Sequence, residues 1–477
     1  MATSRPTSFL PTWATASFAL AISGQQNKVR PTAGHRANGW DENEEPPCNF
    51  ENYQMNSVYQ FLQFFDLNAA RGMTAFVCAD DATDPMKDMA TAEGTGLNKW
   101  LCDGTADNIQ IQAAIDAVEA AGGGMVLLSE GTFSMLGPLI IDADNVALVG
   151  MGRGATSLQL VASATIQFEL VTIDTANNCM IADLTIDGNK GNQAGAYEYL
   201  GIDLDDATNC VVRDVVVRDL YDDAETEASI RITGASSSYC VIERCHIFGC
   251  ESDYNIEIIG GADHVVSNCR IVRDVTTDIP SIDCSAASCR IESNRLVGGG
   301  ILVAAGSTDV EILNNTISGV SGNDSEGIEV TAGSRILIQG NMLKEIEITG
   351  MSLAGCSHVQ VIGNVIWASG QKTDDNFDNL GIDATCTDVS VTGNICRHGG
   401  GGTQPRNGIL IGAGTGIWVS GNDFGNSGKT ASMSGAANAL HPLNSGASAL
   451  GTEPFQVWKT DAGGSHIPAD ARMFNRI

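Results

Sequence analysis

The stretch ILIQGNML, Ile336–Leu343, is one copy of a recurring pattern, apolar-x-apolar-x-x-Asn-x-apolar. Further copies are CRIESNRL (Cys289–Leu296), VEILNNTI (Val310–Ile317), VQVIGNVI (Val359–Ile366), VSVTGNIC (Val389–Cys396) and IWVSGNDF (Ile417–Phe424). Their sixth position is Asn294, Asn315, Asn341, Asn364, Asn394 and Asn422. Farther upstream the same slot holds Cys269, Cys245, Val215 and Leu184. From Leu184 to Asn422, successive slots lie 31, 30, 24, 25, 21, 26, 23, 30 and 28 residues apart. Periods of this size mean a solenoid, in which each unit buries its apolar face only against its neighbours.

A second motif, Gly-Ile-x-apolar or a near variant, accompanies most copies. It reads GIDL (Gly201–Leu204), SIRI (Ser229–Ile232), NIEI (Asn255–Ile258), SIDC (Ser281–Cys284) and GILV (Gly300–Val303). It continues as GIEV (Gly327–Val330), GMSL (Gly350–Leu353), GIDA (Gly381–Ala384) and GILI (Gly408–Ile411). Alternation with period two marks a strand with one face inside. Short strands joined by turns, each pairing with the next coil at about 4.8 Å, give an all-β, single-stranded parallel β-helix. The Asn column fits a dry turn, where each amide N–H₂ donates to its neighbour's oxygen. Asn also tolerates a tight left-handed bend, and Gly340, Gly363, Gly393 and Gly421 before it ease that bend. Cys179, Cys210, Cys240 and Cys289 share the first slot of the repeat and read as small buried hydrophobes, so the 14 cysteines are expected to be reduced.

The segment Asp103–Thr156 reads as an N-terminal cap. Asp107 with Gln110 suggests a capping box. Ile111, Ala114, Ile115 and Val118 share a helical face, Gly122 ends the helix, and Met125–Leu128 is a strand. Such a helix can lid a first coil that would otherwise expose bare core and unpaired edges. The segment resembles the start of the pectate-lyase-like superfamily, in the branch found in phage tailspikes and polysaccharide-degrading enzymes. The matching pieces are DGTAD (Asp103–Asp107), IQAAIDA (Ile111–Ala117), GGGMV (Gly122–Val126), EGTF (Glu130–Phe133) and LVGMG (Leu148–Gly152). With the coils, the resemblance covers roughly two thirds of the chain. It implies a right-handed solenoid; for activity it implies a lyase, hydrolase, epimerase or inert stalk alike. The polygalacturonase-type Gly-His-Gly signature is absent, since Arg397 precedes His398-Gly399, and no catalytic residue is carried over.

Residues 1–75 lack the repeat and form an expected arm. Gly39-Trp40, with Glu44 and Pro46-Pro47, precedes a helical stretch bearing Met55, Val58, Tyr59, Leu62 and Phe65 on one face. This arrangement resembles attachment regions of phage tail fibres and tailspikes; the plainer alternative is an extension packed on the solenoid. The run Phe9–Ile22 is apolar but interrupted by Pro11, Thr12, Thr15 and Ser17, so a signal peptide is the alternative there. The β-helix with its cap is expected over 76–428. Residues 429–477, where the repeat is lost, read as a C-terminal cap or a receptor-binding tip.

The net charge is −31, from 57 acidic and 26 basic residues. Nucleic acid is excluded as a partner because phosphate contacts need basic surface. No run is long and apolar enough to span a bilayer, so membrane insertion is not expected. An anionic polysaccharide is repelled unless Ca²⁺ bridges the charges. Asp374, Asn376 and Asp378 alternate as in a Ca²⁺ loop but lack the later bidentate Glu, so no metal site is assigned and no cofactor is required.

The x residues of the second motif face outward in one strip: Asp203, Arg231, Glu257, Asp283, Leu302, Glu329, Ser352, Asp383 and Leu410. Glu257 and Asp283, about 5 Å apart, have the spacing of a retaining glycosidase pair. Asp203 and Glu257, at roughly 9.5 Å, suit an inverting pair. Asp203, Glu257 and Asp283 are therefore the catalytic candidates, with Arg231, Glu329 and Asp383 contacting substrate. β-Elimination, with carboxylates holding Ca²⁺ and Arg231 as base or anion clamp, is the rival chemistry. The plain alternative is an acidic surface carrying carboxylates by chance. The sequence thus reads as a trimeric phage tail-fibre or tailspike subunit, located in the virion with other tail or baseplate proteins. It binds a bacterial surface polysaccharide and has a candidate depolymerase site. The alternatives are a secreted lyase or glycoside hydrolase, and a structural virion or adhesin protein without turnover.

Overall fold

The structure is a computed structural model. It describes residues 73–91, 98–193, 197–221, 228–273, 279–319, 321–322, 324–399, 402–435, 458–460 and 466–468. All of the described residues lie in one unit, Arg71–Ile477. Nearly all of the expected arm lies outside the described residues, with Phe9–Ile22, Trp40 and the helical stretch from Met55 to Phe65. So does most of the tail.

Each coil visits three sheets in turn. One coil runs Arg290–Glu292 in sheet A, Arg295–Val297 in sheet B and Ile301–Val303 in sheet C, before Glu311–Leu313 re-enters sheet A. Among the described residues, sheets A, B and C contain 14, 11 and 12 strands. Neighbouring strands within them pair in parallel, as with Arg290↔Glu311, Arg295↔Thr316 and Ile301↔Ile328. The architecture is the expected parallel β-solenoid.

The core is a set of stacked apolar columns. In sheet A, Ile242, Val266, Ile291, Ile312 and Ile338 are in register and fully buried. Ile271, Leu296, Ile317 and Leu343 do the same in sheet B. Each such side chain contributes roughly 1.5–3 kcal/mol by leaving water. Burial therefore accumulates coil by coil.

The corner between sheets A and B is the most regular part of the fold. In every coil from Cys179 to Phe424, the Asn slot lies five positions after the first slot. The residue before the Asn slot is left-handed throughout: Ser293 (φ 58), Asn314 (φ 54), Gly340 (φ 69) and Gly363 (φ 63), for example. The asparagines pile up as expected. Asn294 Nδ2 donates to Asn315 Oδ1 at 3.0 Å, Asn315 to Asn341 at 3.0 Å, and Asn341 to Asn364 at 3.0 Å. Asn364 donates to Asn394 and Asn394 to Asn422, both at 2.9 Å. Each Oδ1 also accepts the main-chain N–H of the preceding rung, and each second amide N–H reaches a carbonyl one coil back. The ladder is therefore both buried and satisfied.

Among the described residues, thirteen cysteines, all buried, are free thiols. The first-slot stack is Cys179, Cys210, Cys240, then His264, then Cys289. His264 fits among the thiols because its Nδ1 accepts the Cys240 N–H at 3.3 Å and its Nε2 pairs with the Gly260 carbonyl at 3.0 Å.

The N-terminal end carries helix α1 (Asp84–Thr91), which the sequence pattern did not suggest, and helix α2 (Asn108–Ala120). Ile111, Ala114, Ile115 and Val118 of α2 are buried against the strands Met73–Cys78, Asn98–Leu101, Gly124–Leu128 and Leu139–Ile141. This is the lid that the sequence implied, but the capping box is corrected. Asp107 makes no side-chain bond to the helix. Its two oxygens accept the N–H groups of Gly104 (3.0 Å) and Ser134 (2.7 Å), tying the lid to the first strand of sheet B. No helix among the described residues is long and apolar enough to cross a membrane.

Candidate functional site

Sheet C presents the outward strip in register. Asp203 pairs with Arg231, Arg231 with Glu257, Glu257 with Asp283, Asp283 with Leu302, and Leu302 with Glu329. Neighbouring side chains stand about one strand spacing, ~4.8 Å, apart. Glu329 belongs to the strip, is half-buried, and accepts a bond from Thr331 Oγ1 at 3.2 Å.

Asp383 does not belong to it. Ser352 pairs with Gly381, not Asp383, and Leu380 rather than Ile382 lies opposite Met351. The carboxylate of Asp383 instead closes a turn, accepting from Thr385 N (2.9 Å), Thr385 Oγ1 (2.7 Å) and Gly355 N (3.2 Å). The physical reason is a two-residue slip. Leu380 and Ile382 are both buried, so moving the strand by two residues keeps the apolar face inside.

The three candidate carboxylates differ in their surroundings. Asp203 is committed to Arg231, which forks onto it with Nη2–Oδ2 at 2.8 Å and Nε–Oδ1 at 3.3 Å. Burial raises its pKa and Arg231 opposes the rise. The pairing makes Asp203 a support for Arg231, whose guanidinium sits in register between Asp203 and Glu257. Asp283 has no such partner: only 6% of it is exposed, and its Oδ1 has no hydrogen bond. Burial pushes its pKa up to about 6, against the Ser285 side chain and helped by Asp253. A carboxyl that is part-protonated near neutrality suits a general acid. Tyr254 feels Asp283, Asp253 and Glu257; with burial as the main cause, its phenol is pushed up to about 12 and stays protonated.

A second polar column runs beside the strip. Ser229, Asn255 and Ser281 fill the position that is glycine at Gly201, Gly300, Gly327 and Gly350. At Gly300 a Cβ would stand 1.9 Å from the Glu326 carbonyl, so that coil has no room for a side chain. At Asn255 and Ser281 the chain opens enough to bury one. Neither amide atom of Asn255 has a hydrogen-bond partner, nor has the hydroxyl of Ser281. Unpaired buried polar groups of this kind are uncommon and expensive, and they cluster here beside Asp283. The signal was legible as polar residues interrupting a glycine column, but the sequence reading did not use it.

Other sequence candidates have structural duties. Asp378 is paired with Arg406 (2.7 Å) and accepts from Asn407 Nδ2 (2.7 Å), while Asp374 is paired with Lys429. Among the described residues, no group of three His, Cys, Asp or Glu side chains is disposed to hold a metal. An open groove of about 510 Å³ lies at the corner between sheets C and A, lined by Gly234–Ser238 and Ile259–Ala262. It contains no titratable side chain and is not the strip.

A family model described as "Right handed beta helix region" matches residues 169–342 and 284–445. Among curated proteins, alginate lyase 7 of Azotobacter vinelandii is 36% identical over 104 residues, covering 20% of this chain and 12% of that protein. Mannuronan C5-epimerase AlgE6 of the same organism is 38% identical over 104 residues, covering 19% and 12%. The chain therefore matches about an eighth of the length of these relatives. Among solved structures, the A-module of that epimerase aligns with a TM-score of 0.56 at 20% identity, covering 72% of this chain and 94% of the module. The Dettilon tailspike protein gp208 aligns with a TM-score of 0.54 at 17% identity, covering 71% and 68%. At such identities the likeness is one of fold. With the three-sheet coil in hand and the family model matching more than half of its residues, the chain belongs to the right-handed β-helix family.

Proposed function

We propose that this chain is a tailspike or tail-fibre subunit, trimeric and carried on a phage virion, that binds a bacterial surface polysaccharide along sheet C and hydrolyses it. The observation that carries the catalytic part is Asp283: buried, raised in pKa, with one carboxylate oxygen unpaired and Glu257 in register beside it. In this reading Asp283 gives its proton to the glycosidic oxygen as the bond to the anomeric carbon breaks. Glu257 bonds to that carbon, at the ~5 Å carboxyl separation of a retaining pair. Water then displaces Glu257, returning its proton to Asp283. Arg231, buttressed by Asp203, and Glu329 hold sugar hydroxyls, and the orphaned atoms of Asn255 and Ser281 find partners when the site is filled. The chemistry uses no cofactor.

The test is to incubate the full chain with capsule and lipopolysaccharide from candidate hosts and measure new reducing ends. Glu257→Gln and Asp283→Asn are each expected to lower the rate at least a hundredfold while leaving binding intact. Unchanged rates in both variants would remove sheet C from the chemistry. A second reading, a secreted enzyme of the same fold, is favoured by the alginate lyase and epimerase relatives. It predicts products carrying unsaturated sugars, seen by ultraviolet absorbance, and no copy of the chain in purified virions by mass spectrometry.

A further inference from the structure

The outer face of sheet B carries a positive island on an acidic protein. His246, Arg270 and Arg295 are consecutive in register, so the two guanidiniums occupy the same outward slot one coil apart. Both arginines are exposed. Several other arginines on the solenoid have carboxylate partners: Arg218 with Asp187, Arg244 with Asp214, Arg335 with Asp309. Arg270 and Arg295 have none within 4.0 Å among the described residues. Instead Arg270 Nη1 lies 2.5 Å from His246 Nε2. Like charges directly opposite across two strands are destabilising. Burial disfavours protonation of His246, and the charges of Arg270 and then Arg153 add to that effect. The island therefore concentrates positive charge with no counter-charge of its own.

Its neighbours are apolar. Phe248, Val272 and Val297 form the adjacent outward column, in register with one another, and the Phe248 ring lies 4.6 Å from that of His246. Forked guanidiniums recognise carboxylates in a plane, and an aromatic ring beside them offers a face for the apolar side of a sugar.

We propose that Arg270 and Arg295, with His246 and Phe248, form a subsite on sheet B that binds the carboxylate-bearing units of an acidic polysaccharide. This deepens the preceding reading, in that it rests on the chain being a glycan binder, but it does not depend on cleavage at sheet C. It also revises the expectation that an anionic glycan needs Ca²⁺ to approach this surface.

The experiment titrates the full chain with oligogalacturonate and, separately, with a neutral dextran oligosaccharide, at two salt concentrations. The parent chain is expected to bind the acidic probe at least tenfold more tightly than the neutral one, with affinity falling as salt rises. The double variant Arg270→Gln/Arg295→Gln is expected to lose that preference, with unchanged circular dichroism. Equal binding of both probes by the parent overturns the proposal, as does a double variant that keeps the acidic preference. A double variant that changes only its sedimentation coefficient shows a contact between copies, and also overturns it. If Asp283→Asn leaves turnover unchanged while the Arg270/Arg295 dependence holds, the sheet C chemistry fails and the subsite stands.

Discussion

Replacing Asp283 with Asn should stabilise the protein and silence it together. The carboxyl moves from an ordinary value of 3.8 to about 6 in the fold because burial penalises the anion. The native state therefore holds this proton more tightly than the unfolded chain does. Its contribution to stability is complete below pH ~4 and is lost as pH rises through about 6. At ~1.4 kcal/mol per unit, ionised Asp283 costs the native state about 3 kcal/mol at pH 8 and about half of that at pH 5. Asparagine has nearly the same shape and cannot ionise. Asp283→Asn should thus exceed the parent by about 3 kcal/mol at pH 8, with the gap closing towards pH 4. Urea midpoints and slopes at several pH values measure this, and the unchanged slope that is expected keeps the comparison valid. A variant less stable than the parent at pH 8 would mean that the carboxylate makes net favourable contacts, and the burial argument would be wrong.

The Asn ladder should be more sensitive in its middle than at its end. Asn341→Cys takes the acceptor from both the main-chain N–H and the Nδ2 of Asn315, whereas Asn294→Cys takes it only from the Cys269 N–H. The first should cost about 1 kcal/mol more than the second, read by urea denaturation. Asp383→Asn should leave glycan binding and turnover within twofold of the parent, since its carboxylate serves the turn at Thr385. A large loss of binding in that variant would return Asp383 to the site.

The coil and its spine were readable because they rest on repetition: the same apolar columns and the same Asn slot in successive coils. Register within sheet C was readable wherever a single apolar pair flanked the outward residue, as around Glu257 and Asp283. It failed at Asp383, where two alternating buried residues, Leu380 and Ile382, leave a two-residue slip undetermined by pattern alone. The capping box failed for a different reason. Asp107 is drawn away from its helix by N–H groups of Gly104 and of a strand distant in sequence, and local rules cannot see that competition. The same holds for Arg231: its position was evident, but its engagement with Asp203 depends on side-chain geometry. The pairing of Arg270 with Arg295 was implicit in the repeat, yet it means something only once their lack of carboxylate partners is visible.

The fixed five-residue step at the corner between sheets A and B has a consequence for how such a molecule can change. Between the first buried residue of sheet C and the next first slot, the step varies modestly, from seven residues (Ile282 to Cys289) to ten (Ile230 to Cys240). From the Asn slot to sheet C it varies from seven (Asn294 to Ile301) to 18 (Leu184 to Ile202). Length variation is thus channelled to the edge shared by sheets B and C, the two faces assigned here to the sugar chain. New loops can be inserted along that edge without disturbing the hydrogen-bonded spine opposite. Ligand preference can therefore be rewritten one coil at a time while the rod itself keeps its pitch.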